Sequence, residues 1–235
     1  MKPVVVFRHA QCDGAGYLGV FLNQHDIPWS EVRIDLGEPI PRSVENFSGL
    51  VFMGGPMSVN DTLPWIPQAT RLIRQAIDQD VAVMGHCLGG QLMSKALGAE
   101  VTKNPVEEIG WGELQVHENA DAEKWFGTTK QFLGFHWHEE TFSLPEGATR
   151  LLSSQYCFNQ AYAVGKHLAM QCHVEMTGDL VKKWYQCWES QLEMSMASPA
   201  VQTKQEVLEN LSERVQKLNQ QAYGLYTRWV DGLSV

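Results

Sequence analysis

Val81-Ala82-Val83-Met84-Gly85-His86-Cys87-Leu88-Gly89-Gly90-Gln91 is the stretch whose reading decides the fold. Four apolar residues run into Gly-His-Cys-Leu-Gly-Gly, and a helix is predicted from Gln91 to Leu97. The order reads as a buried strand, a tight turn with Cys87 at its tip, and a helix. It is the thiol counterpart of the Gly-x-Ser-x-Gly nucleophile elbow. Gly85 and Gly89 stand where side chains would block a sharp strand-to-helix turn. A thiol at a helix N-terminus feels the positive end of the helix dipole, which favours the thiolate. Taken alone, the stretch fits a structural cysteine in an ordinary βα turn equally well, because free cysteine is usually a small core residue.

The residues before the elbow extend the same pattern. Val4 to His9 opens with a continuous apolar run, as in a parallel-sheet strand buried on both faces. Cys12 to Gly16 is a polar loop, and Tyr17 to His25 a predicted helix. The loop's glycines do not complete a dinucleotide fingerprint. Glu31 to Leu36 alternates as a strand, and Leu50 to Met53 is a further strand running into Gly54-Gly55-Pro56. Two glycines at the end of a buried strand expose backbone N–H groups where α/β folds place ligands. Trp65 to Gln79 has helical spacing. Strand and helix therefore alternate through the first hundred residues, which implies an open, mostly parallel sheet with helices on both faces.

After Gly98 the pattern changes to a small antiparallel section. Strands are predicted over 110–116, from 132 into a loop carrying His138, over 149–154 and over 161–164. Trp125 to Gly127 forms a short helical turn. Gly165-Lys166 turns the chain into a strand from His167 to Glu175, and Thr177 caps a helix from Asp179 to Leu192. A break over 194–202 precedes one long helical signal from Val201 to Trp229. Residues 1–192 then form the main domain and 193–235 a helical C-terminal tail packed on it. The long helix leaves a homodimer or partner surface as the alternative.

With 27 acidic against 18 basic side chains the net charge is -9, which argues against nucleic acid or anionic membrane as the main partner. No apolar run reaches the roughly 20 residues that span a bilayer, and Met1-Lys2-Pro3 leads directly into a strand without the shape of a signal peptide. The five cysteines are odd in number and widely spaced without a Cys-x-x-Cys pair, so no disulfide framework or zinc knuckle is expected and a cytoplasmic, reducing setting is simplest. His136 and His138 lie two apart with no third ligand at convincing spacing, so no metal is expected either.

A cysteine nucleophile needs a base, and the base an orienting acid. His173 and Glu175, two apart on the predicted strand, share one face and can supply both. Alone, His-x-Glu is a weak signal. Gly54-Gly55-Pro56, the Cys87 elbow and Gln171-Cys172-His173-Val174-Glu175-Met176-Thr177, in that order, resemble the class I glutamine amidotransferases, the triad type found in the glutaminase domain of GMP synthase. The resemblance covers roughly Val4 to Trp184.

The resemblance implies a flavodoxin-like α/β fold and hydrolysis of the glutamine side-chain amide through a γ-glutamyl thioester. It makes Cys87 the nucleophile, His173 the base and then the acid, and Glu175 its orienter. The N–H groups of Gly55 and Leu88 become the oxyanion hole, with Gly54, Gln91, His138 and Glu139 beside the substrate. At Glu139 the chain departs from the small residue usual in that family, and Glu140 adds a second acid. The pair fits either an ammonium-binding role or solvated loop charges. No ATP or redox cofactor is implied. The ligand is glutamine or a γ-glutamyl small molecule. The tail of about 50 residues is too short for a synthetase domain. A free-standing hydrolase, a γ-glutamyl peptidase and a glutaminase subunit serving a separate synthetase therefore all stay open.

Overall fold

In the computed structural model, which describes residues 1–233, strand and helix alternate from the N-terminus. β1 (Val4–Arg8), α1 (Gly16–Gln24), β2 (Trp29–Arg33), β3 (Gly49–Phe52), α2 (Ile66–Asp78), β4 (Ala82–His86) and α3 (Leu88–Ala96) build the parallel half. β5 (Val101–Val116), α4 (Ala120–Phe126), β6 (Gln131–Phe142), β7 (Thr149–Ser153), β8 (Ala161–Val164) and β9 (His167–Met170) follow. The chain ends with α5 (Gly178–Cys187), α6 (Glu189–Ser195), β10 (Ala200–Val201), α7 (Lys204–Leu208) and α8 (Leu211–Val230).

A single mixed sheet runs β10-β5-β7-β8-β9-β4-β3-β1-β2, with β6 paired to β5. From β2 to β9 every pairing is parallel. From β9 through β8, β7 and β5 to β6 the pairings are antiparallel. The apolar runs of β1, β3 and β4 are buried on both sides because alternate residues serve two cores. Val4, Val6, Val51 and Met84 pack with Phe21, Tyr226 and Trp229 from α1 and α8. Val5, Phe7, Leu50 and Val83 pack with Leu72, Ile73 and Leu92 from α2 and α3. The C-terminal helix is therefore part of the first core. Its Leu218, Ala222, Leu225, Tyr226 and Trp229 are all buried.

Several local expectations change. β2 stops at Arg33, and Ile34–Leu36 is a 3-10 turn closed by Gly37. α3 starts at Leu88 rather than Gln91. β6 continues as strand through His138 to Phe142, because β5 pairs with it that far, so His138 is not in a loop. β9 ends at Met170, so His173 and Glu175 lie beyond the strand rather than on one of its faces. The helix expected over 179–192 divides at Trp188 into α5 and α6. The long C-terminal helix breaks into α7 and α8, with Asn210 in the left-handed conformation at the joint.

The cysteine expectation is overturned as well. Cys12, in the loop after β1, is bonded to Cys187 at the end of α5, with an S–S distance of 2.02 Å. Their sequence separation of 175 hides from any spacing rule a pair that only the tertiary fold brings together. The cysteine count therefore carries no argument for a reducing compartment. Among the described residues, no helix is long and apolar enough to cross a membrane.

Candidate active site

Cys87 sits between β4 and α3 at φ 50° and ψ -108°, a backbone conformation that L-residues avoid. The turn is held by Cys87 N–H donating to the Met170 carbonyl at 2.7 Å and Gln91 N–H donating to the Cys87 carbonyl at 2.9 Å. A side chain at Gly89 would run into the carbonyl of Phe52 on the neighbouring strand, so α3 lies directly against β3. The nine-residue α3 begins with the residue after Cys87, and its N-terminal dipole bears on the sulfur.

His173 and Glu175 meet as the sequence suggests, though in irregular chain. After β9 the chain crosses to β6, where His173 N–H donates to the Phe135 carbonyl at 2.8 Å. His173 Nδ1 then lies 2.6 Å from Glu175 Oε1. Its other ring nitrogen, Nε2, has no hydrogen-bond partner. Burial opposes a charged imidazole here. The Glu175 carboxylate and the neighbouring Cys87 thiol outweigh it and hold His173 well above its ordinary pKa. Burial likewise opposes the Glu175 carboxylate, but His173 and His86 bring its pKa below the usual range. The rings of His173 and Trp184 meet edge to face, with centroids 4.7 Å apart.

Gly54 explains the closeness of these groups. A Cβ there would stand 3.1 Å from His173 Cε1, 3.1 Å from Asp13 Oδ2 and 3.9 Å from Cys87 Cβ, in the gap between the imidazole and the cysteine. Next to it, the N–H groups of Gly55 and Leu88 donate no hydrogen bond among the described residues. Two unspent amides beside the thiol are what an oxyanion hole requires. The pocket itself is lined by Gly55, Cys87, Gln91, His138, Glu139, Glu140 and His173, with Trp137, Trp184 and Trp188 as its apolar wall.

The other residues singled out in the sequence are spread around this pocket. Gln91 reaches the sulfur indirectly: its Nε2 donates to Gln171 Oε1 at 3.1 Å, and Gln171 Nε2 donates to Cys87 Sγ at 3.4 Å. Glu139 is more than half exposed and lies 4.0 Å from Lys103. Glu140 instead accepts from Ser58 Oγ at 2.8 Å. His138 touches the pocket but turns its polar edge away, with Nε2 3.1 Å from Glu108 Oε2.

Three further groups around Cys87, His173 and Glu175 carry no sequence signal of their own. His86 Nε2 lies 3.7 Å from Glu175 Oε2 and 3.4 Å from Tyr226 Oη, so α8 reaches Glu175 through one residue. Burial pushes the His86 pKa down, against the pull of Glu175. Asp13 is buried, and burial followed by the Glu175 charge raises its pKa to about 7. Gln171 is visible in the sequence as part of a motif but not as a donor to sulfur.

The family model described as glutamine amidotransferase class-I matches residues 7–185. A solved structure of a glutamine amidotransferase from Methylobacillus flagellatus superposes with a TM-score of 0.96 at 42% identity, covering 100% of this chain and 96% of that one. The glutamine amidotransferase-like protein YfeJ of Salmonella typhimurium is 33% identical over 165 residues, 67% of this chain and 68% of YfeJ. Gamma-glutamyl peptidase 4 of Arabidopsis thaliana is 28% identical over 179 residues, 71% of this chain and 70% of that protein. The glutamine-hydrolysing GMP synthase of Ectopseudomonas mendocina is 28% identical over 173 residues, 68% of this chain but 30% of that enzyme.

Proposed function

The chain belongs to the class I glutamine amidotransferase family, and from that premise we propose that it hydrolyses the side-chain amide of glutamine, or a related γ-glutamyl amide, through a thioester on Cys87. Cys87 Sγ attacks the γ-carbonyl carbon, and His173 Nε2 takes the thiol proton. The carbonyl oxygen becomes an oxyanion, to which the Gly55 and Leu88 amides donate; such donors are worth several kcal/mol in a transition state. His173 returns the proton to the departing nitrogen, the C–N bond breaks, and ammonia or an amine leaves. Water, deprotonated by His173, then attacks the thioester; the C–S bond breaks, glutamate leaves, and His173 returns the proton to the Cys87 sulfur. Glu175 holds the His173 tautomer throughout.

The observation that carries this reading is that His173, which lines the same pocket as Cys87, has Nδ1 fixed 2.6 Å from Glu175 and leaves Nε2 without a hydrogen-bond partner. Gly54, Gln91, His138 and Glu139 frame the substrate. The Ser58-anchored Glu140 is the better-placed acid for an α-ammonium group, because Glu139 is solvated and beside Lys103.

A second reading, cleavage of γ-glutamyl peptides, is favoured by the wall of Trp137, Trp184 and Trp188, which offers an apolar surface to a leaving group larger than ammonia. Ammonia delivery to a separate synthetase subunit is the third. One experiment separates them: ammonia and free amino acids are scored independently for the purified chain given glutamine or γ-glutamyl dipeptides. Ammonia from glutamine alone supports the first reading, amino-acid release supports the second, and turnover only with an added synthetase supports the third. Full turnover by Cys87→Ala refutes all of them.

A further inference from the structure

On β6, His136 and His138 project to the same side of the strand, and the β5–β6 register sets Glu108 directly opposite His138. All three are buried, and one ligand atom from each lies within 4.8 Å of the others. The outward nitrogens are both committed to backbone carbonyls. His136 Nε2 lies 3.4 Å from the Gly112 carbonyl and His138 Nδ1 3.0 Å from the Glu140 carbonyl. A carbonyl only accepts, so those nitrogens carry the hydrogens, and His136 Nδ1 and His138 Nε2 point inward as lone pairs. Binding the outer nitrogen to a carbonyl is how proteins orient metal-ligating imidazoles.

Inside the cluster, acceptors outnumber donors. His138 Nε2 faces Glu108 Oε2 at 3.1 Å, a short distance for two acceptors. The donor offered to both is the Gln160 amide nitrogen, 2.8 Å from Glu108 Oε2, 3.2 Å from His136 Nδ1, 3.3 Å from His138 Nε2 and 3.2 Å from Ser154 Oγ. Two amide hydrogens cannot serve four acceptors. The Gln160 oxygen, fully buried, has no partner, so no hydrogen bond holds it outside the cluster. Turning that amide over would present the oxygen to the same point. Ser154 Oγ donates to Glu108 Oε1 at 2.8 Å and supports the carboxylate from behind.

We propose that Glu108, His136, His138 and Gln160 form a site for a divalent first-row transition ion, with zinc the natural probe for two imidazoles, a carboxylate and an amide oxygen. A groove that Glu108, His136 and Ser154 share with Gln155, Tyr156 and Gln202 gives access from solvent. The ion ties β5, β6 and the start of β8 together. Between its two histidines on β6 lies Trp137, whose carbonyl accepts from Cys87 Sγ at 3.7 Å. Its role is to hold that wall of the pocket, and it supplies neither nucleophile nor water to the reaction.

The test uses the full chain carrying Cys87→Ala, so that the pocket thiol takes no metal. After chelation and dialysis, zinc is titrated by calorimetry and the bound metal counted by elemental analysis. One equivalent is expected, and zinc at a hundredfold excess over Kd raises Tm by roughly 5–10 °C. Glu108→Gln and His136→Gln, checked for folding by near-ultraviolet circular dichroism, weaken binding at least roughly tenfold. Cobalt(II) added to the chain without these two substitutions gives visible d–d bands and no thiolate charge-transfer band, a readout that holds even if the variants fail to fold. Absence of stoichiometric zinc, undiminished binding in both folded variants, or a thiolate band overturns the proposal.

Discussion

Replacing Asp13 with asparagine tests how the charges of His173 and Glu175 are balanced. Asp13 Oδ1 accepts from Gly14 N–H at 2.8 Å, while Oδ2 is buried without a partner. Burial and then the nearby Glu175 charge raise its pKa from 3.8 to about 7. A folded-state pKa above the unfolded value means that the folded chain keeps the proton longer. Stability attached to Asp13 is therefore complete at low pH and falls as the pH rises from about 4 to about 7. The integrated loss is about 1 kcal/mol at pH 4.5 and about 4 kcal/mol at pH 8. The asparagine side chain does not ionise across this range. An unpaired amide N–H costs the variant on the order of 1–3 kcal/mol, but equally at both pH values, so it drops out of the difference. Urea unfolding followed by tryptophan fluorescence, with the disulfide intact in both proteins, measures the comparison. Between pH 4.5 and 8 the Asp13→Asn stability relative to wild type rises by roughly 3 kcal/mol. A difference independent of pH refutes the reasoning, because Asp13 would then ionise alike in both states.

Gly54→Ala places a methyl between His173 and Cys87; kcat/KM falls by about 10²-fold, while a Tm within a few degrees of wild type separates this from misfolding. Unchanged kcat/KM would mean that the gap is not where the proton moves. Cys12→Ser with Cys187→Ser opens a covalent loop of 175-residue separation, which by loop entropy removes up to about 5 kcal/mol. Thermal melts with and without reductant should converge for the variant and differ for wild type, and equal wild-type melts would show that the bond does not contribute.

Local reading succeeds where neighbours in sequence are neighbours in space. β4 follows from its apolar run and the elbow from its glycines. Gly89-Gly90 are poor helix formers, so propensity places the start of α3 three residues late. Packing of Gly89 under Phe52 and Gly90 against Met170 overrides that preference. Strand alternation pairs His173 with Glu175, but β9 stops at Met170, and the contact is made by irregular chain tied to Phe135. Other features depend on register and sheet order, which periodicity does not carry. Glu108 is 30 residues from His138 in sequence and its cross-strand partner in space. Asp13 and Cys12 belong to an ordinary polar loop until β1 is set beside β3, whose end carries Gly54, and α5 is laid across it. His86 reads as the variable residue of the elbow until Tyr226, 140 positions later, arrives beside it. The proposed trio of Cys87, His173 and Glu175 is thus legible because its chemistry imposes short motifs, whereas the groups that charge, orient and brace it are supplied by long-range pairings. Substitutions at Asp13, His86 and Glu108 should accordingly act through the triad's electrostatics or its supporting strand, with no contact to the substrate required.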